Sequence, residues 1–318
     1  MPDIIRRRAG WWQRTGSVLA SDGVPVAYAL GGPPEQLSLV CCNGLGVSTF
    51  FWNYLGEYFT HRFQVVVWDY RGHGSSGRPR NPQNLTIAAL VDDLIRVMDS
   101  CGVQQAVLLG HSLGTQVILE AWHRHPDRVK ALVPILGAPG RPADTLLDPR
   151  VGQALFRLVY LLGTQAPEAV QLTLRATLHR NLTWHLIRRS GLVHPDLCRP
   201  EDIEPYLEHL SRQDIEVFAE MLRAAQEHDA TPFLSQIAVP TLVVAGERDL
   251  FTPRHLSIEM ATRIQGAELL EIPRGSHAAL VEQPELINLR LEKFLTERVL
   301  PNQASAPSLG SEDLTNES

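Results

Sequence analysis

Short apolar runs alternate along the chain with segments whose apolar residues recur at helical spacing. The runs Leu37–Cys42, Phe63–Trp68, Ala106–Leu109, Lys130–Leu136, Pro240–Ala245 and Ala267–Ile272 predict buried strands. Arg14–Leu30 precedes them and predicts two more strands, turning at Asp22-Gly23, a dipeptide suited to a tight hairpin. Intervening segments predict helices over Ser48–Tyr58, Thr86–Cys101, Leu113–Trp122 and Pro253–Gln265. A closing helix, with Pro284 in it or at its start, runs to about Val299. In Thr86–Cys101 the residues Ile87, Leu90, Val91, Leu94, Val97 and Met98 share one face, and Thr86 is a candidate N-cap. Strands that alternate with helices in this way imply an α/β fold, a mostly parallel sheet covered on both faces.

Between Ala138 and Ala230 the strand rhythm stops. Val151–Leu162, Ala169–Leu178, Thr183–Arg189 and Gln213–Glu227 predict helices separated by Pro149, Pro195, Pro200 and Pro205. Ile215, Phe218, Leu222 and Ala225 form an apolar stripe that reads as packing against the body. The chain therefore divides into an N-terminal arm (1–13), a core in two pieces (14–138 and 231–300), a helical cap inserted between them (139–230) and a polar tail (301–318) that predicts disorder.

Composition removes several classes of function. A net charge of -6 argues against a nucleic-acid surface. The four cysteines, Cys41, Cys42, Cys101 and Cys198, have neither metal-type nor framework spacing, so reduced thiols are expected. Cys41 and Cys42 should face opposite sides of one strand. No ligand cluster suggests a metal, and no glycine fingerprint opens the first βα turn, so no metal and no nucleotide cofactor is expected. The arm places Arg6, Arg7 and Arg8 beside Ile4, Ile5, Trp11 and Trp12. It reads as a segment packing on the body, with membrane contact as the weaker alternative. No apolar stretch follows it as in a secretory signal or is long enough to span a bilayer, so the cytoplasm is the expected location.

In a parallel sheet of this kind, reactive residues gather on loops at the carboxyl ends of the strands. The run Ala106–Leu109 leads into Gly110-His111-Ser112-Leu113-Gly114 and then into a helix. This is G-x-S-x-G in the strand–turn–helix context of a nucleophile elbow. Side chains at the flanking positions would strike the neighbouring strand and helix, which is why both are glycine. The Leu113 N–H opens a helix and is free to donate to an oxyanion. A serine needs a base, and His277, just after the last strand, is the candidate. The base needs a carboxylate, and Asp249, just after the preceding strand, is the candidate. Singly, Asp249 reads equally as a loop or capping residue, and His277 as one of twelve histidines. Jointly, at three strand ends in the order Ser112, Asp249, His277, they form a triad. The loop Asn43-Gly44-Leu45-Gly46 offers a second oxyanion donor, the Leu45 N–H. His111 reads as a packing residue. Asp69-Tyr70-Arg71-Gly72-His73-Gly74 reads as structural, its charged pair tying loops together under the site.

These stretches together resemble the capped α/β-hydrolase fold family, also called AB hydrolase-1. The resemblance runs from about Gly16 to Val299. It is carried by CNGLG (Cys42–Gly46), DYRGHGSS (Asp69–Ser76), GHSLG (Gly110–Gly114), GERD (Gly246–Asp249) and GSHAALVEQPE (Gly275–Glu285). It implies an eight-stranded, mostly parallel sheet with a helical cap. It also implies Ser112 as nucleophile, Asp249 as acid, His277 as base, and Leu45 and Leu113 as oxyanion donors. One departure stands out: many relatives begin the oxyanion loop with His-Gly, whereas this chain has Asn43-Gly44.

Serine at the elbow sets the chain apart from relatives with aspartate there, the haloalkane dehalogenases and epoxide hydrolases. The expected reaction is hydrolysis of a carboxylic ester of a mainly apolar small molecule through an acyl-enzyme. C–C bond hydrolysis, lactone opening and cofactor-free perhydrolysis on the same triad are the alternatives. A non-catalytic ligand- or partner-binding protein is the alternative of another class.

Overall fold

A computed structural model describes residues 10–145, 149–177 and 193–300. The expected helix Thr183–Arg189, the tail 301–318 and the arginines of the arm lie outside the described residues.

Eight strands form one sheet. They are β1 (Arg14–Leu19), β2 (Pro25–Gly31), β3 (Ser38–Cys42), β4 (Gln64–Trp68), β5 (Ala106–His111), β6 (Val129–Ile135), β7 (Leu242–Gly246) and β8 (Glu268–Ile272), in the spatial order β1-β2-β4-β3-β5-β6-β7-β8. The hairpin strands β1 and β2 pair antiparallel, and β2 pairs antiparallel with β4. All remaining pairs are parallel. The hairpin turns where Asp22-Gly23 predicts it: Gly23 holds φ +81°, and the Asp22 carboxylate accepts the Val24 N–H at 3.3 Å.

The central strands are buried along their whole length, and alternation sends successive residues into two different cores. Val40, Cys42, Val66, Trp68 and Leu108 enter one; Leu39, Cys41, Val65, Val67 and Leu109 enter the other. The adjacent thiols Cys41 and Cys42 thus lie on opposite faces of the sheet. The first core is closed by α2 (Ile87–Ser100) and α3 (Leu113–Arg124), where all six apolar positions read from the spacing of α2 are buried. The Thr86 hydroxyl caps α2 by accepting the Ala89 N–H at 3.0 Å. The second core is closed by α1 (Asn53–Phe59) and the C-terminal helix described below. Trp11 is buried there against α1, where a Cβ on Gly56 would fall 2.2 Å from its ring. The described end of the arm therefore packs on the body.

Between β6 and β7 the longer described elements are helices: α4 (Pro142–Thr145), α5 (Pro149–Gln165), α6 (Pro167–Thr177), α7 (Pro200–Arg212) and α8 (Ile215–Glu227). The chain leaves and re-enters the sheet body side by side, through a Gly140–Asp229 bridge and an Ala230 N–H to Pro139 carbonyl bond of 2.9 Å. One expectation fails here. Pro200 and Pro205 do not separate helices; Pro200 opens α7 and Pro205 lies inside it. A first-turn proline costs nothing because its N–H would be unpaired anyway, and Pro205 forfeits a single backbone bond while the helix's inner face, with Asp202 and Ile203, is buried. After β7 come α9 (Arg254–Arg263), α10 (Ala279–Glu282) and α11 (Pro284–Phe294), the last prolonged by a wider turn over Leu295–Val299. Pro284 is the first residue of α11. Among the described residues, no helix is long and apolar enough to cross a membrane.

Candidate active site

The parallel strands point the same way, so the loops after β3, β4, β5, β7 and β8 emerge at one edge of the sheet. Ser112 sits between β5 and α3 with φ +53° and ψ -116°. Few side-chain-bearing residues adopt this backbone, and here the surroundings enforce it. The Ser112 N–H donates to the Ile135 carbonyl of β6 at 3.0 Å, which holds the turn against the sheet. A Cβ on Gly110 would lie 2.3 Å from the Gly114 carbonyl oxygen, and one on Gly114 would lie 2.2 Å from the Cys42 carbonyl oxygen. No real Cβ tolerates such distances, so the strand and helix can meet this closely only across two glycines.

The three residues singled out from strand-end position meet in space. The Ser112 Oγ lies 3.0 Å from His277 Nε2, and His277 Nδ1 lies 2.9 Å from Asp249 Oδ2. Asp249 is buried, yet its side chain accepts three further hydrogen bonds. The N–H groups of Phe251 and Thr252 donate to Oδ1 at 2.8 and 3.0 Å, and the Thr252 hydroxyl donates to Oδ2 at 2.7 Å. Burial pushes this carboxyl up, but the facing imidazole and these bonds outweigh burial and hold it below the usual carboxylate range. An ionised Asp249 requires the proton of His277 to sit on Nδ1. Nε2 then carries the lone pair that faces the serine hydroxyl.

The loop after β3 passes directly over Ser112: a Cβ on Gly44 would lie 3.1 Å from Ser112 Cβ. Among the described residues, neither the Leu45 N–H nor the Leu113 N–H has an acceptor. The role of Asn43, the departure from the His-Gly pattern, is structural. Its Nδ2 donates to the Trp68 carbonyl and its Oδ1 accepts the Trp52 indole N–H, both at 2.7 Å. Asn43 thus braces the loop on the neighbouring strand end.

The sequence reading of the Asp69–Gly74 loop needs one correction. Asp69 and Arg71 are not partners. The Asp69 carboxylate accepts the Ser48 hydroxyl at 2.6 Å and the N–H groups of Thr49 and Ser75, which joins the loop after β4 to the one after β3. Arg71 reaches instead to Asp93 on α2, with a two-pronged contact of 2.5 and 2.6 Å, and to Asp22 at the hairpin. Asp93 sits within the apolar face of α2, so helical spacing gave no sign of it. His111 packs, as expected, against Phe51 with ring centroids 4.5 Å apart, but it also lies 3.1 Å by Nε2 from the His277 carbonyl. Only Nε2–H can make that bond, and burial lowers the His111 pKa to about 3, so the ring is a neutral prop under His277. Two further residues position the triad and were not singled out: Thr252, above, and Glu282, whose carboxylate accepts the Ser276 hydroxyl at 2.6 Å and the His194 N–H at 2.5 Å. Glu282 lies in the GSHAALVEQPE stretch, but nothing in its spacing distinguishes it from a surface acid. Among the described residues, no group of three or more His, Cys, Asp or Glu side chains is placed to hold a metal.

Residues 38–284 match the family described as alpha/beta hydrolase fold. The chain is 29% identical over 266 residues to a protein of Caulobacter vibrioides named putative carbamate hydrolase RutD, covering 83% of this chain and 93% of that one. It is 27% identical over 277 residues to 3-oxoadipate enol-lactonase 2 of Acinetobacter baylyi, covering 87% and 95%. Among solved structures, a hydrolase from Pseudomonas aeruginosa PA01 superposes with a TM-score of 0.72 at 26% identity, covering 89% of this chain and 98% of the other.

Proposed function

The chain belongs to the alpha/beta hydrolase fold family, and from that premise we propose that it is a serine hydrolase that cleaves a carboxylic ester of a mainly apolar small molecule. The observation that carries this reading is the continuous path from Asp249 through His277 to Ser112, with contacts of 2.9 and 3.0 Å, on a serine held in the elbow conformation. In the proposed reaction the Ser112 oxygen bonds to the substrate carbonyl carbon while His277 Nε2 takes the hydroxyl proton. The N–H groups of Leu45 and Leu113 receive the oxyanion. Collapse breaks the bond to the alcohol, which leaves with the proton from His277. Water then repeats the sequence on the acyl-enzyme, with His277 as base again.

Apolar groups border these atoms. The Phe251 ring centroid is 5.2 Å from that of His277, and Leu250 beside it is exposed. Phe218, from α8, sits over the oxyanion loop where a Cβ on Gly46 would lie 3.1 Å from its ring. Such surroundings favour an uncharged acyl or alcohol group over an ionic one.

Purified protein should release p-nitrophenol from short- or medium-chain p-nitrophenyl esters, and a fluorophosphonate probe should label it at Ser112. Ser112→Ala should abolish labelling and lower kcat by about 10⁴-fold or more. Unchanged turnover in that variant would refute the assignment, and absence of labelling in the wild type would favour a binding protein on this fold. The similarity to an enol-lactonase and to a protein named as a carbamate hydrolase gives a second reading: the same triad acting on a lactone or carbamate carbonyl. A panel of esters, lactones, carbamates and vinylogous diketones compared by kcat/KM separates these readings.

A further inference from the structure

His73 is buried, lies outside the triad and has both ring nitrogens engaged. Its Nδ1 faces the Arg71 carbonyl at 3.2 Å, and its Nε2 faces the Gly46 N–H at 3.3 Å. A carbonyl can only accept, and an N–H can only donate. The tautomer is thereby fixed: Nδ1 carries the proton and Nε2 accepts from Gly46. Burial and the neighbouring His209 hold the His73 pKa down at about 4, so the accepting form is the one present at neutral pH.

Gly46 ends the loop that carries the Leu45 N–H. With φ +70° it is the turning point of that loop. Asn43 anchors the other end, through Trp52 and Trp68. Gly44 and Leu45 lie between these anchors, and Gly44 passes over Ser112. The His209 ring of α7 lies beside His73, with centroids 6.0 Å apart, and His73 is buried. A loop held at one end only can rotate its peptide planes. An oxyanion donor is useful only when its N–H already points at the place where charge will develop.

We propose that His73 is a positioning residue that fixes the second anchor of the Asn43–Gly46 loop and so aims the Leu45 N–H at the oxyanion. The inference rests on the serine-hydrolase reading for its kinetic consequence, but not for its structural one. His73→Phe keeps the ring and removes the acceptor. His73→Gln places an amide oxygen near the position of Nε2 and restores one.

Two measurements on the full chain test the proposal. Hydrogen exchange, read by mass spectrometry on peptides spanning 43–47, should be faster in His73→Phe than in wild type and return towards wild type in His73→Gln. With p-nitrophenyl esters, and with active sites counted by fluorophosphonate, kcat per active site should fall by about tenfold or more in His73→Phe, with KM nearly unchanged. Affinity for an alkyl boronic acid, a tetrahedral mimic, should fall in step with kcat, and His73→Gln should recover most of both. A merely structural role would lower the count of active sites and leave kcat per site alone. Loop exchange unchanged in His73→Phe overturns the proposal. Faster exchange in His73→Phe, together with a wild-type protein that neither labels nor hydrolyses, refutes the hydrolase reading and leaves the anchoring role standing.

Discussion

At the scale of single residues, Asp249 has more to do than balance a charge. Three donors from its own loop fix its orientation, and two of them, the N–H groups of Phe251 and Thr252, share Oδ1. Oδ2 faces His277 Nδ1 and accepts the third donor, the Thr252 hydroxyl, which can turn to accept instead. This arrangement makes the outcome of Asp249→Asn predictable. Two backbone donors demand an oxygen at the Oδ1 position, so the new amide NH₂ must occupy the Oδ2 position and donate to His277 Nδ1. The imidazole then carries its proton on Nε2, and the atom that should accept the serine proton becomes a donor. We expect kcat for p-nitrophenyl ester hydrolysis to fall by about 10⁴-fold, with the urea midpoint little changed and the circular dichroism spectrum retained. A loss below about tenfold would mean that the carboxylate does not select the tautomer.

At the scale of elements, the sheet edge is held together from beneath by the Arg71–Asp93 pair. It links the loop after β4 to α2, and both side chains are largely withdrawn from solvent, at 7% and 0% exposure. Burial raises the Asp93 carboxyl above its usual range despite the guanidinium, and burial likewise opposes the Arg71 charge that Asp93 supports. The pair is therefore a poor net stabiliser while intact but costly to break. Asp93→Ala should lower the free energy of unfolding by about 3–5 kcal/mol, whereas Arg71→Met with Asp93→Leu should recover much of that loss. Urea titration of the two variants and the wild type checks this, and an Asp93→Ala midpoint equal to wild type would contradict it. The same pair shows where sequence reading stops. The strands, the elbow and the Thr86 cap were legible because each depends on residues a few positions apart, and the triad was legible because strand ends converge in a parallel sheet. Pairing of Arg71 with Asp93 rather than Asp69 depends on how α2 is rotated, which local spacing does not encode. The continuation of α7 through Pro205 depends on burial of Asp202 and Ile203, a tertiary effect that overrides the propensity of one residue. Glu282 gave no signal because its partners, Ser276 and His194, come from a turn and from the segment between β6 and β7.

At the scale of the whole molecule, the neutral histidines that support the site impose a pH dependence on stability. Burial brings His111 down to about 3 and both His73 and His209 down to about 4, against about 6.5 for an exposed imidazole. Below about pH 6.5 the unfolded chain binds protons that the folded chain refuses, so stability is fully present above that pH and falls as pH drops towards 4 and 3. At roughly 1.4 kcal/mol per pH unit for each group, the three together should contribute a loss of about 6 kcal/mol between pH 7.5 and pH 5. Asp249, depressed in the folded state, adds to the loss at still lower pH. Asp69 and Asp93, both raised by burial, act in the opposite sense from the carboxylate range upward and subtract from the histidine slope. Urea unfolding at pH 7.5, 6.5, 5.5 and 5 should show this slope, and His111→Gln, which cannot take up a proton, should remove about a third of the histidine contribution. A stability curve flat across that range would mean that these imidazoles are hydrated in the native protein, and the rigid support inferred for the His277 and Gly46 loops would fail with it.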